Sequence, residues 1–365
     1  MSNAYNVPLR QPAPDFQTFR EVLLGKKPAK KVHLVELIFD REIIEAVVRE
    51  CLGKVPVPSE DADFSTYWDQ RIAFWYRLGY DYIRVDGGVL VPFSQTKTGH
   101  DSSEVFQGSR EWVDEGFGPI QSWKDFEQYP WEVMEFQHLR HFEYVSRHLP
   151  EGMKMMVCPC SGVFEISAES MLGFEGMSYL LYENPELVQA VFDKVGSILL
   201  QFYQNVSGMD NVAGFFQGDD LGYKTSTFLS PMHLRKLVFP WHRKFRDLAH
   251  SRDQMYWLHC CGNVQKVFPE MLETIGMDAF HSFQDAILPV DQFQQRYGDQ
   301  LATLGGLDVD ILVRGDERQV RQATRNILQR CMPNRYAFGS GNSIANYIPL
   351  ANFLAMLDEA TRWER

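Results

Sequence analysis

The sequence predicts an α/β fold, a (β/α)8 TIM barrel built as one domain over residues 1–365, with a long insertion at 87–152 after the second strand. Three observations carry this. Short apolar runs alternate with longer stretches of helical period, eight such runs can be read along the chain, and no Gly-x-Gly-x-x-Gly fingerprint marks a dinucleotide crevice. A chain of 365 residues is long enough for two average domains, but barrels of this type regularly exceed about 250 residues as one unit. No internal repeat or low-complexity linker divides it.

In chain order, the first run is Val32 to Phe39, followed by a helix starting near Asp40 whose Ile43, Ile44, Val47 and Val48 share one face. Tyr82 to Val85 is the second strand, Met155 to Val157 the third, Ala213 to Phe216 the fourth and Met255 to Leu258 the fifth. Ala279 with Phe280, Ala302 to Leu304, and Tyr336 to Phe338 complete the set. Helix starts are legible at Asn184-Pro185, at Ser230-Pro231 and at the amphipathic stretch Asp316 to Cys331. Between Gly87 and Gly152 strand character is low, and the aromatics Trp112, Phe117, Trp123, Tyr129 and Trp131 gather. This segment reads as a lid over the barrel mouth, with an oligomer contact as the rival reading.

The composition, 45% hydrophobic and 23% charged, is that of a globular protein with an ample core. A net charge of −12 repels phosphate backbones and anionic bilayers, so the expected partner is a small molecule, not nucleic acid or a membrane. No apolar stretch has the length of a membrane span, and the N-terminal region, rich in proline, lacks a signal segment, so a cytoplasmic location is expected. Six cysteines are too few for a disulfide scaffold and should be thiols, buried or ligating.

In such a barrel the chemistry sits where the strands end. The polar residues after the eight runs are Glu36, Asp86, Cys158 with Cys160, Asp219 with Asp220, His259 with Cys261, His281 with Gln284, Asp308, and Ser340 with Asn342. About half of the aspartates and serines in that set serve equally well as helix caps. The strongest local signal is Leu258-His259-Cys260-Cys261-Gly262-Asn263. His259 and Cys261 alternate on an extended segment, so both side chains point one way while Cys260 turns aside. Imidazole and thiolate suit zinc, which needs a third protein ligand in catalytic centres. Cys158, Cys160, Glu165, Asp219 and His281 are the candidates. Zinc held with an open position activates a thiol as a thiolate, which is alkyl-transfer chemistry. The plainer reading is a histidine satisfied by backbone beside buried cysteines. The adjacent carboxylates Asp219 and Asp220, and Asp86 between a strand and two glycines, are candidates for proton relay or substrate orientation.

These residues give the chain a resemblance, from about Phe16 to its C-terminus, to the uroporphyrinogen decarboxylase superfamily. That superfamily contains the decarboxylase and corrinoid-dependent methyltransferases of the methylcobalamin:coenzyme M type. The likeness rests on His259-Cys260-Cys261-Gly262-Asn263-Val264, on Gln217 to Gly222 ahead of Leu229-Ser230-Pro231, and on Gly305-Gly306-Leu307-Asp308. The closing segments Gly339 to Ile344 and Ile348 to Asn352 are similar as well. The resemblance to the methyltransferase branch implies that His259 and Cys261 bind zinc. Where that branch has a third cysteine this chain has Asn342, so Cys158, Cys160 or Glu165 would complete the set, or the metal is lost. The decarboxylase branch has an arginine-rich N-terminal segment; here His33 to Arg41 offers Arg41 alone and places Glu36 in the pocket. A methyltransferase is therefore expected ahead of a tetrapyrrole decarboxylase, with a non-catalytic corrinoid-binding or small-molecule-binding protein as a third reading. The resemblance further implies a corrinoid protein as partner and a homodimer. The roles expected are catalytic for Asp86, Asp219, Asp220 and His281, and substrate-binding for Glu36, Gln217, Asp308 and Asn342.

Overall fold

The structure is a computed structural model that describes residues 5–363 except 93–95, 101–108 and 114–115, with backbone alone at 96–100 and 109–113. The side chain of Trp112, one of the aromatics expected in the lid, therefore lies outside the described residues.

Seven strands form a parallel sheet in the order β1 (Tyr82–Asp86), β4 (Lys154–Cys158), β5 (Val212–Gly218), β6 (Met255–His259), β7 (Ala279–His281), β8 (Ala302–Leu304) and β9 (Tyr336–Ala337). A separate antiparallel hairpin pairs β2 (Thr96–His100) with β3 (Ser109–Val113). Each parallel neighbour follows in sequence after a helical crossover, as alternation of short apolar runs with helical periods requires. The first expected strand differs. Between Val32 and Phe39 the backbone makes isolated parallel bridges, Leu34 to Phe338 and Phe39 to Ile344, beside β9. Tyr82 Oη bonds Glu36 N and O, which seats the same segment against β1. These two bridges, each with its own backbone hydrogen bonds, and the Tyr82 hydroxyl take the place of a continuous ladder there.

The sheet is curled. Tyr82 on β1 and Trp257 on β6 are three strands apart, roughly 14 Å on a flat sheet, yet their ring centroids lie 5.3 Å apart. Phe216 meets the same indole at 5.4 Å, so an aromatic layer fills the concave side. Helices cover the other face. The start at Asn184 is capped by its side chain on Leu187 N, that at Ser230 on His233 N, and Asp316 forms a capping box with Gln319. Between β1 and β4 lie the hairpin and the helices Trp123–Gln128, Trp131–Glu135 and Arg140–His148. The last of these packs against β4 and helix Phe64–Leu78 and acts as the regular crossover, so the extra material ends before it. No helix among the described residues is long and apolar enough to cross a membrane.

Candidate functional site

Successive side chains on a strand face opposite sides, and this parity sorts the expected site residues. On β5 Phe216 faces the interior, so Gln217 faces the helices. Its Oε1 accepts from Tyr203 Oη and its Nε2 donates to Gly218 O, both at 2.5 Å. Asp219 shares that outward side. It is fully buried and accepts from the backbone N–H of Phe164 and Glu165 at 3.1 and 3.0 Å. It also bonds His242 Nε2 at 2.8 Å, while His242 Nδ1 meets Tyr256 Oη at 2.6 Å. With its lone pairs engaged, Asp219 ties three elements together and does not reach the lumen, in contrast to the expected catalytic role. Gln217 likewise departs from substrate binding.

Asp220 follows the inward parity and reaches His259 and Cys261. Its Oδ1 accepts the Cys261 N–H at 2.7 Å and lies 3.5 Å from His259 Nε2. Cys261 Sγ is 3.2 Å from the same nitrogen. Asp220, His259 and Cys261 are, among the described residues, the one group of three metal-type donors whose atoms all lie within 4.8 Å of each other. Tetrahedral zinc holds its ligands at about 2.0–2.3 Å, which separates them from one another by roughly 3.3–3.6 Å. The donor set fits the ion in kind, the two separations from His259 Nε2, 3.2 and 3.5 Å, match that spacing, and the third donor is the carboxylate expected to be catalytic.

Cys158, Cys160 and Glu165, expected to complete the set, do not join it. Cys158 Sγ turns to Cys160 O at 3.6 Å, and burial pushes its thiol up to about 11 and that of Cys160 up to about 12. Glu165 accepts from Ser161 Oγ at 2.7 Å. Its burial beside Asp220 and Asp219 holds the carboxyl well above the usual range, so it favours the protonated acid.

His281, on the neighbouring strand, pairs its Nδ1 with His259 Nδ1 at 2.7 Å and sets its Nε2 3.2 Å from Ser340 O. Burial, aided by the nearby Arg84 charge, lowers His259 to about 3, keeping the imidazole in its ligating neutral form. Burial and Asp220 together push the Cys261 thiol up, and burial raises Asp220. A divalent cation reverses that cost for both anionic donors. Asn342, where the resemblance to the methyltransferase branch led to the expectation of a third cysteine, donates from Nδ2 to Cys261 Sγ at 3.2 Å and so supports the sulfur without ligating.

Glu36, expected in the substrate pocket, is fully buried and bound to Ser340, because its segment packs side-on against β9. Asp308 caps helix Val309–Arg314 through Asp310 N at 2.8 Å, and it also lines a cavity of about 590 Å³. That cavity opens beside Cys261 and Asn342 and is walled by Tyr223, Lys224, Gln284 and Tyr347. Asp86 sits at the end of β1, paired with Arg84 at 2.5 Å, and burial raises its carboxyl despite that partner.

Arg84 itself escaped the sequence reading. It is 8% exposed, donates to Phe216 O at 3.1 Å and Leu37 O at 3.2 Å, and supplies a buried positive charge near both imidazoles. The signal was an arginine inside the apolar run Tyr82-Ile83-Arg84-Val85, where alternation sends it inward.

In solved structures the fold recurs in a methyltransferase from Methanosarcina mazei at 14% identity and TM-score 0.67, covering 95% of this chain and 98% of that one. It also recurs in a B12-independent methionine synthase from Shewanella sp. W3-18-1 in complex with selenomethionine, at 10% identity and TM-score 0.50, covering 84% and 89%. No curated protein matches the sequence. The family model described as Uroporphyrinogen decarboxylase (URO-D) matches residues 137–363, more than half of the chain and the part that carries β4 to β9 with Asp220, His259, Cys261 and Asn342. By that match the chain belongs to the uroporphyrinogen decarboxylase family.

Proposed function

We propose that this protein is a zinc-dependent methyltransferase of a corrinoid-linked system, taking a methyl group from a small methylated compound or passing one between a corrinoid protein and a thiol acceptor. The observation that carries the reading is the convergence of Asp220, His259 and Cys261 within 4.8 Å of one another beside an open cavity of about 590 Å³. In this reading the Leu34 segment is the eighth member of a closed (β/α)8 barrel, and the helices Trp123–Gln128 and Trp131–Glu135 stand at its mouth, where the corrinoid protein docks.

Bound zinc would supply Lewis acidity that keeps a thiol deprotonated and nucleophilic at neutral pH. The chain's own residues do the rest. His281 holds the His259 ring so that Nε2 faces the other donors. Asn342 donates to the Cys261 sulfur. Asp86 with Arg84 orients a polar end of the substrate from the opposite strand, and Tyr223, Tyr347 and Gln284 enclose its body. The charges of the cavity wall speak against an octacarboxylate tetrapyrrole, since Asp308 and Asp310 stand beside Lys224 as the cation among its lining residues.

Elemental analysis of the wild type against His259→Ala, Cys261→Ala and Asp220→Ala tests this. About one zinc per chain, lost in all three variants, is expected. A wild type that takes up no zinc on incubation overturns it and directs assays to tetrapyrrole decarboxylation and to ligand binding without turnover.

A further inference from the structure

Both arms of the candidate centre lead back to one buried residue. Ser340 O accepts the Gly306 N–H at 3.0 Å and faces His281 Nε2 at 3.2 Å. A carbonyl has no proton to give, so His281 Nε2 carries one and its Nδ1 is a lone pair. That lone pair accepts from His259 Nδ1 at 2.7 Å, which leaves His259 Nε2 as the lone pair turned to Cys261 and Asp220. Gly305, at φ +82°, keeps this contact open, because a Cβ there would collide with Ser340 O and His281 Nε2.

The sulfur arm leaves from the same residue. Ser340 Oγ lies 2.9 Å from Asn342 O, fixing the turn from which Asn342 Nδ2 donates to Cys261 Sγ. The hydroxyl has one proton but two oxygen neighbours, since Glu36 Oε2 is 2.5 Å away. All are satisfied when Glu36 Oε2 is itself protonated and donates to Ser340 Oγ, while Glu36 Oε1 accepts the Ser340 N–H at 2.8 Å. Glu36 and Ser340 are both fully buried, so neither has water as a substitute partner.

We infer that Ser340 is the hub that positions both the histidine and the cysteine of the metal centre, and that Glu36, as an uncharged acid, locks the hub; this rests on the zinc reading above. Burial pushes Glu36 up to about 8, against the pull of its Ser340 bonds, which agrees with the hydrogen-bond count. Neither residue touches substrate. Each acts through others on the tautomer of His259 and on the hydrogen bond to Cys261.

The test loads the full chain with Co²⁺, whose visible absorption reports the donor set, and measures Zn²⁺ affinity by chelator competition. Ser340→Ala and Glu36→Ala should change the cobalt bands and weaken zinc by about 10- to 100-fold while far-UV circular dichroism stays native. Glu36→Gln should restore the wild-type spectrum, since its amide accepts from Ser340 N and donates to Ser340 Oγ. Unchanged spectra and affinity in Ser340→Ala and Glu36→Ala overturn the hub and leave the zinc reading standing. A Glu36→Gln spectrum as altered as that of Glu36→Ala overturns the locking acid. Should Glu36→Ala not fold, Ser340→Ala and Glu36→Gln decide. A wild type that takes up neither ion overturns the zinc reading itself, an outcome separate from the other two.

Discussion

The two ends of the sheet use the same residue types to opposite effect. Just before β1, Asp81 is fully buried and accepts from His33 Nδ1 at 2.6 Å, Lys31 Nζ at 3.0 Å and Asp15 N at 2.7 Å. Burial works to raise this carboxyl, but His33 and Lys31 hold it below its usual range. At the far end Asp220, His259 and Cys261 stand with their donor atoms turned toward one another, and Asp220 is raised by burial. A buried carboxylate that has gathered enough donors is a clamp. One that shares its space with a thiol and a lone-pair nitrogen is a place for a cation. Between the two ends the rings of Phe19, Tyr82 and Trp257 fill the interior and keep them apart.

Breaking the lower end tests the contrast most severely. Asp81→Ala leaves the buried His33 Nδ1 without its partner, and should cost about 3–5 kcal/mol of stability in denaturant unfolding, with zinc per folded chain unchanged. Loss of zinc there would erase the distinction. In the wild type this clamp is present at neutral pH and is lost as pH falls below about 4, because the folded carboxyl titrates lower than the unfolded one. At the upper end, Asp220→Ala should weaken zinc by at least about 100-fold, read by chelator competition, with little change in the unfolding midpoint of the metal-free chain. A large loss of midpoint would make Asp220 a clamp as well.

Glu36 sharpens the comparison through its sign. Its folded value of about 8 lies above the unfolded one, so its contribution is complete below about pH 4.5 and fades as pH rises toward 8. Wild-type stability should fall by about 1.4 kcal/mol per pH unit between pH 5 and 7 from this group, and Glu36→Gln should remove that slope. An unchanged slope in the variant would show that Glu36 ionises normally. The smallest effect is expected from Asp308→Ala, which removes a helix cap worth about 1 kcal/mol and leaves zinc affinity intact. A change in substrate affinity larger than the change in stability would show that Asp308 holds substrate from the cavity wall as well as capping the helix.

Much of this was legible from local pattern. The apolar runs from Tyr82 onward became strands, and Asn184, Ser230 and Asp316 cap the helices they were expected to begin. His259 and Cys261 could be paired from spacing alone, because a period of two is a property of the extended backbone itself. Parity also held the answer for Gln217 and Asp219, but needed one fact that sequence order does not contain, namely that Phe216 faces the interior.

The sequence by itself thus determined the alternation of strands and helices, the caps, and the donors one strand can present, since these depend on neighbours along the chain. Tertiary structure decided which neighbours across space complete them. Asp220 meets His259 and Cys261 because β5 and β6 run side by side with Gly218 opposite His259. Glu36 is drawn from the pocket because its segment bridges to β9, where Ser340 satisfies it. Buried polar groups take their roles from the partners that surround them, and those partners come from segments as much as 304 residues apart in the chain.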